Sequence, residues 1–222
     1  KDELSRHQTL ARHCQIAEIA AIISMCGGVS ISEKDHYSLK IQTENVYVAR
    51  KYFTLLKKTY NIDTDVKISE EQMRNVIDKI GDLSEPVSPL LIKNSCCQRA
   101  FLRGAFLAGG SLSDPEKSYH FEIVSSGKEK ASQIADAMNS FHLDARIVER
   151  RKSYVVYLKE GAQIVDMLNV MGARIALMDL ENVRVLKEVR NSVNRQVNCE
   201  TANLNKTIHA AVKQTEDICY IR

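Results

Sequence analysis

The sequence contains no tryptophan, only three prolines and no long hydrophobic run. A membrane-spanning helix needs an apolar stretch of about eighteen residues or more, so no membrane span is predicted. The first residues include neither an initiator Met nor an apolar stretch behind a basic one. We therefore expect a trimmed N-terminus and not a signal peptide.

Spacings typical of metal and nucleotide sites are absent too. The six cysteines form no C-x-x-C pair and the six histidines form no H-x3-H pair, so we predict no metal site. The Gly27-Gly28 pair lacks the spacing of a phosphate-binding loop and no Walker lysine follows it, so we predict no cofactor. We interpret the cysteines as reduced, mostly buried thiols of a cytoplasmic protein.

The composition indicates a folded protein and leaves its partner open. Of the 222 residues, 44% are hydrophobic and 27% are charged, which suffices for one sizeable core or two small ones. The net charge of +3 permits a nucleic-acid partner without requiring one. The places where basic residues gather are therefore more informative than their number.

The chain repeats itself with an offset of 82 residues. The matched pairs are Cys14 and Cys96, Gly27 and Gly109, Gly28 and Gly110, Tyr37 and Tyr119, Leu39 and Phe121, and Ile41 and Ile123. The alternating apolar residues at the end of this series are typical of a half-buried strand. The repeat predicts two similar units within one fold.

Both units follow the same order of predicted elements. Apolar residues at helical or alternating spacing predict these elements, and a glycine pair ends the first helix of each unit. The predicted helices cover about 12–27, 45–59, 95–109, 127–142 and 160–171, and the last two strands cover 144–150 and 153–159. The order helix, strand, strand, helix, strand, strand, helix predicts a pseudo-twofold α+β fold. We assign 1–83 to the first repeat, 84–172 to the second, with a linker rich in Ser and Pro at 84–89, and 173–222 to C-terminal helices.

One motif carries a family resemblance. Residues 101–111 read FLRGAFLAGGS, which resembles the LAGLIDADG helix of homing endonucleases and is similar in wording to the WhiA family. The segment from Arg190 to Thr207, RNSVNRQVNCETANLNKT, and the segment IQTENVYVARKYFTLLKK resemble the same family. The resemblance covers nearly the whole chain. It implies a LAGLIDADG homing-endonuclease-like fold.

The WhiA resemblance also implies a function. It implies a bacterial, cytoplasmic, nucleoid-associated regulator of transcription in sporulation and cell division, with double-stranded DNA as partner. In this family a helix-turn-helix domain follows the C-terminal region. We therefore expect 173–222 to be a helical linker that leads to a helix-turn-helix domain outside this chain. The DNA sequence bound, the direction of regulation, the oligomeric state and any sensed ligand stay open.

Glycine occupies the positions of the catalytic acids. In the nuclease family each motif helix ends in an acid that holds a divalent cation, because hydrolysis of a phosphodiester needs carboxylates to fix the metal. Aligned on Gly28 and Gly110, these positions are Gly27 and Gly109, which offer no ligand. The other acids nearby are Glu18, Glu33 in a loop and Asp114 in a Ser-Asp-Pro turn. We therefore predict no catalytic residues, no metal at the pseudo-dyad and no enzymatic activity.

The small residues of the motif have a structural interpretation. Two helices can pack closely at a dyad only if the contact positions are small. We assign this packing role to Gly27, Gly28, Gly109 and Gly110. Cys14 and Cys96 occupy equivalent positions and are interpreted as core fillers, in preference to ligands or a bridge.

Two basic segments are candidate DNA contacts. The first is the second strand pair, whose basic residues are Arg146, Arg150, Arg151, Lys152 and Lys159. The nuclease scaffold lays such sheets along the major groove, where Arg and Lys contact phosphates without catalysis. A solvated hairpin tip, protected from edge pairing by charge, explains the same pattern equally well.

The second basic segment is helical. One side carries Arg184, Lys187, Arg190, Asn191, Asn194 and Arg195, extended by Asn203, Asn205 and Lys206. The opposite side is apolar, with Val185, Val189 and Val193. Asn and Arg can contact base edges as well as phosphates. The alternative is a linker helix whose polar face pairs with acids such as Glu188.

Two other classes of function stay open. One is an active nuclease or RNA maturase, which would show metal-dependent nicking. The other is a protein-interaction or ligand-sensing module that contacts the transcription machinery, for example an RNA polymerase sigma subunit.

The first repeat is shorter than the second. The offset between units is 81 at Val66 and Ile147 but 91 at Ile80 and Met171, so about ten residues of a hairpin are lacking. The cause is either a true deletion or an omission of mobile residues over which the numbering closes. We favour omission, because Ile68 fits the end of a returning strand. A Cα separation of about 3.8 Å at every bond across 63–70 would show a true deletion.

Overall fold

The computed structural model describes residues 1–31, 37–60 and 86–221. The chain divides into two compact units, Lys1–Met178 and Asp179–Arg222. The predicted last helix of the first repeat, the shortened segment after Val66 and the start of the linker lie outside the described residues. No helix within the described ranges combines the length and apolarity that crossing a membrane requires.

The first repeat begins the larger unit. Its elements are α1 (Asp2–Arg6), α2 (Arg12–Cys26), β1 (Gly27–Ile31), β2 (Tyr37–Ile41) and α3 (Val46–Tyr60). Strands β1 and β2 pair antiparallel, with Gly27 opposite Ile41. Every residue of α2 from Ala17 to Ser24 is buried. A helix with apolar residues on every side belongs in a core, and α2 occupies that place.

The second repeat confirms the predicted order of elements in full. Its elements are α4 (Ser95–Gly109), β3 (Gly110–Leu112), β4 (Phe121–Ser125), α5 (Lys128–Asn139), β5 (Arg146–Arg150), β6 (Ser153–Leu158) and α6 (Gly161–Met171). The strands form one antiparallel sheet in the order β3-β4-β6-β5. The fold is therefore α+β with two related repeats, and α2 and α4 pack along each other between them.

The four-stranded sheet has one buried and one open face. Phe121, Ile123 and Val156 lie on the buried face, where Phe106 of α4 stacks on Phe121 with ring centroids 4.9 Å apart. Since successive strand residues point to opposite sides, Glu122 and Arg146 lie on the other face. That face is the one available to a ligand.

Two segments flank this core. In the linker, Val87 is buried and exchanges two hydrogen bonds with Gln133 of α5, at 3.0 and 2.6 Å. After α6, the chain turns at Gly172, whose φ of 81° is favourable for glycine. The long helix α7 (Arg174–Ile221) follows.

Candidate nucleic-acid interface

The ends of α2 and α4 carry no carboxylate at the positions that the nuclease resemblance assigns to catalysis. Gly27 directly follows the last residue of α2, and Gly109 is the last residue of α4. A divalent cation for phosphodiester hydrolysis is held mainly by carboxylate oxygens. Glycine supplies no side-chain oxygen, so these two helix ends lack the ligands of a nuclease centre.

Glu18 is engaged in a buried ion cluster. Its Oε1 lies 3.3 Å from Lys51 Nζ of α3 and 3.2 Å from Arg103 Nε of α4, contacts that are not aligned as hydrogen bonds. Thr9 Oγ1 donates a hydrogen bond of 2.6 Å to the other carboxylate oxygen. Glu18 is fully buried, and Lys51 and Arg103 are nearly so. These contacts of the Glu18 carboxylate therefore link the first repeat to the second.

His7 extends this cluster. Its Nε2 lies 3.0 Å from Arg103 Nη1, which also donates a 2.9 Å hydrogen bond to the Met171 carbonyl. Lys51 Nζ donates a hydrogen bond to the His7 carbonyl. Burial, together with the charges of Arg103 and Lys51, lowers the pKa of His7 to about 4. The imidazole is neutral at pH 7 and accepts from Arg103.

Lack of space for a side chain, and not backbone conformation, explains why glycine occupies the helix ends. The residues that cap α2 and α4, Gly27 and Gly110, have φ of −89° and −86°, so the left-handed cap expected for a glycine pair does not form. A Cβ on either glycine would instead collide with its own helix, at 2.5 Å from the Ile23 carbonyl and 2.1 Å from the Phe106 ring.

Contacts between the two motif helices involve a glycine that the sequence reasoning missed. A Cβ on Gly109 would lie 2.5 Å from the Val124 carbonyl and 2.9 Å from Met25 of α2. A Cβ on Gly104 would lie 2.6 Å from the Glu18 carbonyl and 2.9 Å from the Ala21 side chain. Gly104 is thus a point of close approach between α2 and α4. Its place within FLRGAFLAGGS, one turn before Ala108, was the available signal.

Asp114 forms a turn, as its Ser-Asp-Pro context predicts. Its Oδ1 accepts a 3.0 Å hydrogen bond from the Glu116 amide, and its carbonyl accepts from Lys117 and Ser118. Glu33, the remaining acid considered near the first motif, lies outside the residues that the structure describes.

The basic hairpin consists of β5 and β6, and β5 forms an edge of the four-stranded sheet. Strand β5 is exposed along its whole length, and Arg151 at the turn has a φ of 54°. Arg146 pairs with Asp144 at 2.9 Å, and Lys159 Nζ lies 5.3 Å from the centre of the Tyr157 ring. Arg150 and Lys152 flank Arg151, so three cations lie together at the tip.

An acidic residue that the sequence reasoning did not consider lies on the same face. Glu122 accepts hydrogen bonds from Ser111 at 3.0 Å and His120 at 3.1 Å, and its Oε2 lies 3.4 Å from Arg150 Nη1. Partial burial raises the pKa of Glu122, but these hydrogen bonds and the nearby charges outweigh burial and lower it. The ionised carboxylate therefore compensates part of the positive charge of the hairpin.

The second basic segment lies on α7 and is polar and exposed. Arg190, Asn191, Asn194, Arg195 and Lys206 are exposed, whereas Arg184 and Lys187 are half-buried. Arg184 pairs with Glu181 at 2.9 Å and reaches Glu188 at 3.9 Å. From Arg184 to Lys206 there are five Lys or Arg and two Glu, a net +3 that equals the charge of the whole chain. The hairpin segment 144–159, with five Lys or Arg against Asp144 and Glu149, carries the same net charge, so both basic segments are locally positive.

The expectation of mostly buried thiols is wrong. Only Cys14 and Cys97 are buried, Cys26 is half-buried, and Cys96, Cys199 and Cys219 are exposed. Cys96 is consequently no core filler, because it lies at the exposed start of α4. Cys14, Cys96 and Cys97 lie instead in one group with His13. The 82-residue offset that places Cys14 on Cys96 was the signal for this proximity.

Comparison with known proteins gives consistent matches. Family models match residues 12–75 (WhiA N-terminal LAGLIDADG-like domain), 98–190 (WhiA LAGLIDADG-like domain) and 193–222 (WhiA C-terminal HTH domain). Proteins named probable cell division protein WhiA are 51% identical in Lachnoclostridium phytofermentans and 45% identical in Alkaliphilus oremlandii. These matches cover 100% of this chain and 79% and 78% of the relatives. The first match spans 247 residues against 222 in this chain, a difference of 25.

Solved structures share the fold. Full-length DUF199/WhiA from Thermatoga maritima is similar with a TM-score of 0.71 and 22% identity, covering 94% of this chain and 72% of that protein. A mesophilic variant of the homing endonuclease I-DmoI is similar with a TM-score of 0.53 and 13% identity, over 72% of this chain and 97% of that one. Another I-DmoI variant, in complex with its target DNA, has a TM-score of 0.54 at 12% identity, over 72% of this chain and 97% of that one.

Proposed function

Since this chain belongs to the WhiA family, we propose that it is a DNA-binding regulator of transcription in bacterial cell division and sporulation, on a nuclease scaffold that does not cut DNA. Its relatives are named cell division proteins. The match to a helix-turn-helix family model over 193–222 and the fold shared with a DNA-bound endonuclease support DNA as the partner.

The main support for a scaffold that does not cut DNA is that glycine stands at the ends of the motif helices, where the nucleases have acids. Gly27 and Gly109 leave a scaffold shaped for duplex DNA without the carboxylates that hold its catalytic cation. Glu18, the buried acid of α2, is paired with Lys51 and Arg103. We accordingly expect no divalent cation within ligand distance of residues 26–28 or 108–110.

Two surfaces are proposed to contact DNA. The hairpin tip, Arg150, Arg151 and Lys152, would contact phosphates beside the open sheet face. The polar strip of α7, which includes Arg190, Asn191, Asn194, Arg195 and Lys206, would contact phosphates and base edges. Glu122 and the acids around Arg184 limit the attraction, so binding by this chain alone is expected to be weak.

The proposed partner is double-stranded DNA, and the proposed location is the cytoplasm, at the nucleoid. An RNA polymerase sigma subunit is a further proposed partner. The helix-turn-helix match begins inside α7, so the C-terminal helix is proposed to contribute directly to DNA contact.

The experiment is a salt titration of binding. Fluorescence anisotropy would measure the affinity of the chain for unrelated duplexes of equal length at several salt concentrations. Affinity should fall steeply with salt, with a logarithmic slope of about −0.9 for each phosphate contacted. An affinity that does not change with salt, or no binding at low salt, would contradict the proposal.

A further inference from the structure

Four side chains of the kind that bind zinc converge where α2 and α4 begin. His13 and Cys14 come from α2, and Cys96 and Cys97 come from α4. Their ligand atoms all lie within 4.8 Å of one another. His13 Nδ1 is 3.1 Å from Cys97 Sγ and 3.3 Å from Cys14 Sγ. We refer to these four residues as the His-Cys cluster.

The pseudo-twofold arrangement of the repeats creates the cluster. His13 and Cys14 are the second and third residues of α2, and Cys96 and Cys97 are the second and third of α4. Ala17 and Ala100, both fully buried, pack beside Cys14 and Cys97. These small side chains let the helices approach closely, so the first turns meet and four ligands come together without any C-x-x-C motif.

The distances suit a tetrahedral site. Zinc binds cysteine sulfur at about 2.3 Å and histidine nitrogen at about 2.0–2.1 Å, which places ligands about 3.6–3.8 Å apart around a tetrahedron. The two distances from the His13 nitrogen are a few tenths of an ångström shorter, and the upper limit of 4.8 Å is about one ångström longer. Shifts of about this size are within reach of side-chain dihedral changes, which are the movement that zinc binding would require here.

The His13 nitrogen also has more neighbours than it can satisfy as a hydrogen-bonding group. A neutral imidazole nitrogen either donates one hydrogen or offers one lone pair. Here one nitrogen faces two sulfur atoms at nearly equal distance. A cation between nitrogen and sulfurs is the arrangement in which all of them act as ligands at once.

The electrostatics of the two helix starts favour the loaded site. Three thiolates and one Zn²⁺ carry a net charge of −1, and helix N-termini stabilise negative charge through their dipoles and unpaired amides. Neither α2 nor α4 has an acidic residue in its first turn or a side-chain cap. The zinc-thiolate group would supply that missing anion to both helices.

The ligands are also accessible to an incoming ion. Cys14 and Cys97 are buried, while His13 and Cys96 are exposed. A surface cavity lined by Cys14, Cys96 and Arg99 opens onto the cluster. Cysteine binds zinc as a thiolate, so metal binding at this cluster releases protons.

We propose that His13, Cys14, Cys96 and Cys97 bind one zinc ion in a closed tetrahedral Cys3His site that joins the two repeats at the start of their motif helices. All four ligand positions are filled by protein, which is the pattern of a structural site and not of a catalytic one. The ion would link residues 83 positions apart, from 13 to 96, and so stabilise the packing of α2 on α4.

Metal titration of the whole chain tests the proposal. The reduced, chelator-treated protein should bind one equivalent of Co²⁺, with thiolate charge-transfer absorption and the visible bands of tetrahedral cobalt, and Zn²⁺ should displace it. Cys96→Ser and His13→Ala, both at exposed positions, should abolish these bands. His13→Cys should restore one equivalent with a spectrum shifted towards four sulfur ligands.

Controls separate binding at the cluster from other effects. The double variant Cys199→Ser/Cys219→Ser removes two exposed cysteines of α7 and should bind one equivalent like the wild type. Zn²⁺ should raise the Tm of the wild type and leave that of Cys96→Ser unchanged, while circular dichroism checks that both are folded. Wild-type protein that is folded and binds no stoichiometric cobalt, or Cys96→Ser protein with the wild-type spectrum, would overturn the proposal.

A disulfide is the competing use of these sulfur atoms. Intact mass and thiol alkylation of the protein isolated from a reducing cytoplasm should show six free thiols once the metal is removed. A bond from Cys14 to Cys96 or Cys97 in that material would contradict the zinc site.

Discussion

At the scale of single residues, Glu18 holds the two repeats together by charge. The variant Glu18→Gln would leave Lys51 and Arg103 buried with their charges uncompensated. Removal of one partner of a buried ion group destabilises by about 3–5 kcal/mol, because the remaining charge stays desolvated. Urea denaturation should show a loss of this size in the free energy of unfolding.

The matched control is an exposed ion pair of the same molecule. Asp144→Asn breaks the pair with Arg146, whose side chains are 63% and 68% exposed. Surface pairs contribute about 0–1 kcal/mol, so this variant should unfold nearly like the wild type. Equal losses for both variants would show that Glu18 is an ordinary residue in this respect.

His7 makes stability depend on pH. Its pKa falls from 6.5 to about 4 on folding, so the unfolded chain binds more protons than the folded one between these values. Stability therefore decreases as the pH falls from about 6.5 to about 4. His7→Gln, which can still accept from Arg103 and does not titrate, should lose less stability than the wild type in this window.

Denaturation midpoints measured from pH 7.5 to 4.5 would check the effect of His7. The control His209→Gln, at an exposed position of α7, should keep the wild-type pH profile. Parallel profiles for wild type and His7→Gln would show that His7 does not titrate as its surroundings indicate.

At the scale of elements, Gly104 sets how closely α2 and α4 approach. In a helix interior, Gly→Ala normally stabilises by about 1 kcal/mol through helix propensity. Here the added methyl would lie 2.6 Å from a backbone oxygen of α2, and such overpacking destabilises by about 1–3 kcal/mol. Because backbone cannot move aside cheaply, thermal unfolding of Gly104→Ala should show a lower Tm. A raised Tm would contradict the close approach.

The basic hairpin gives a second test at this scale. Replacement of Arg150, Arg151 and Lys152 by Ala should weaken binding to every duplex and reduce the salt slope by about one for each phosphate that the variant no longer binds. A control variant with Arg50, Lys58 and Lys93 changed to Ala removes the same charge elsewhere. Equal affinity and slope for the hairpin variant and the wild type would identify the tip as a solvated turn.

How far the sequence predicts these features depends on how local their causes are. Alternation of apolar residues predicts β6 to within one residue and places β4 within two residues of the series 119–123, because the period of a strand is local. The ion cluster around Glu18 combines side chains from α2, α3 and α4, so the spacing of residues within one segment does not predict it. The His-Cys cluster escapes spacing rules for the same reason, although the repeat offset places Cys14 beside Cys96 once the two helices are known to pack.

The open sheet face shows the same limit. Period-two alternation predicts that Arg146 and Arg150 share a face, and the pairing of β5 with β6 and β6 with β4 brings Glu122 onto it. Glu122 lies 28 positions from Arg150 along the chain, so its effect on the charge of that face follows only from the sheet order.

At the scale of the whole molecule, a nuclease fold is proposed to bind DNA without cutting it. The direct measurement incubates the chain with supercoiled plasmid in Mg²⁺ or Mn²⁺ at low salt and analyses each sample by electrophoresis before and after removal of protein. A homing endonuclease with its own target plasmid serves as the positive control. We predict retarded plasmid before protein removal and intact supercoiled plasmid afterwards. Nicked or linear plasmid that depends on the divalent cation and disappears with chelator, or plasmid that is never retarded, would contradict this function.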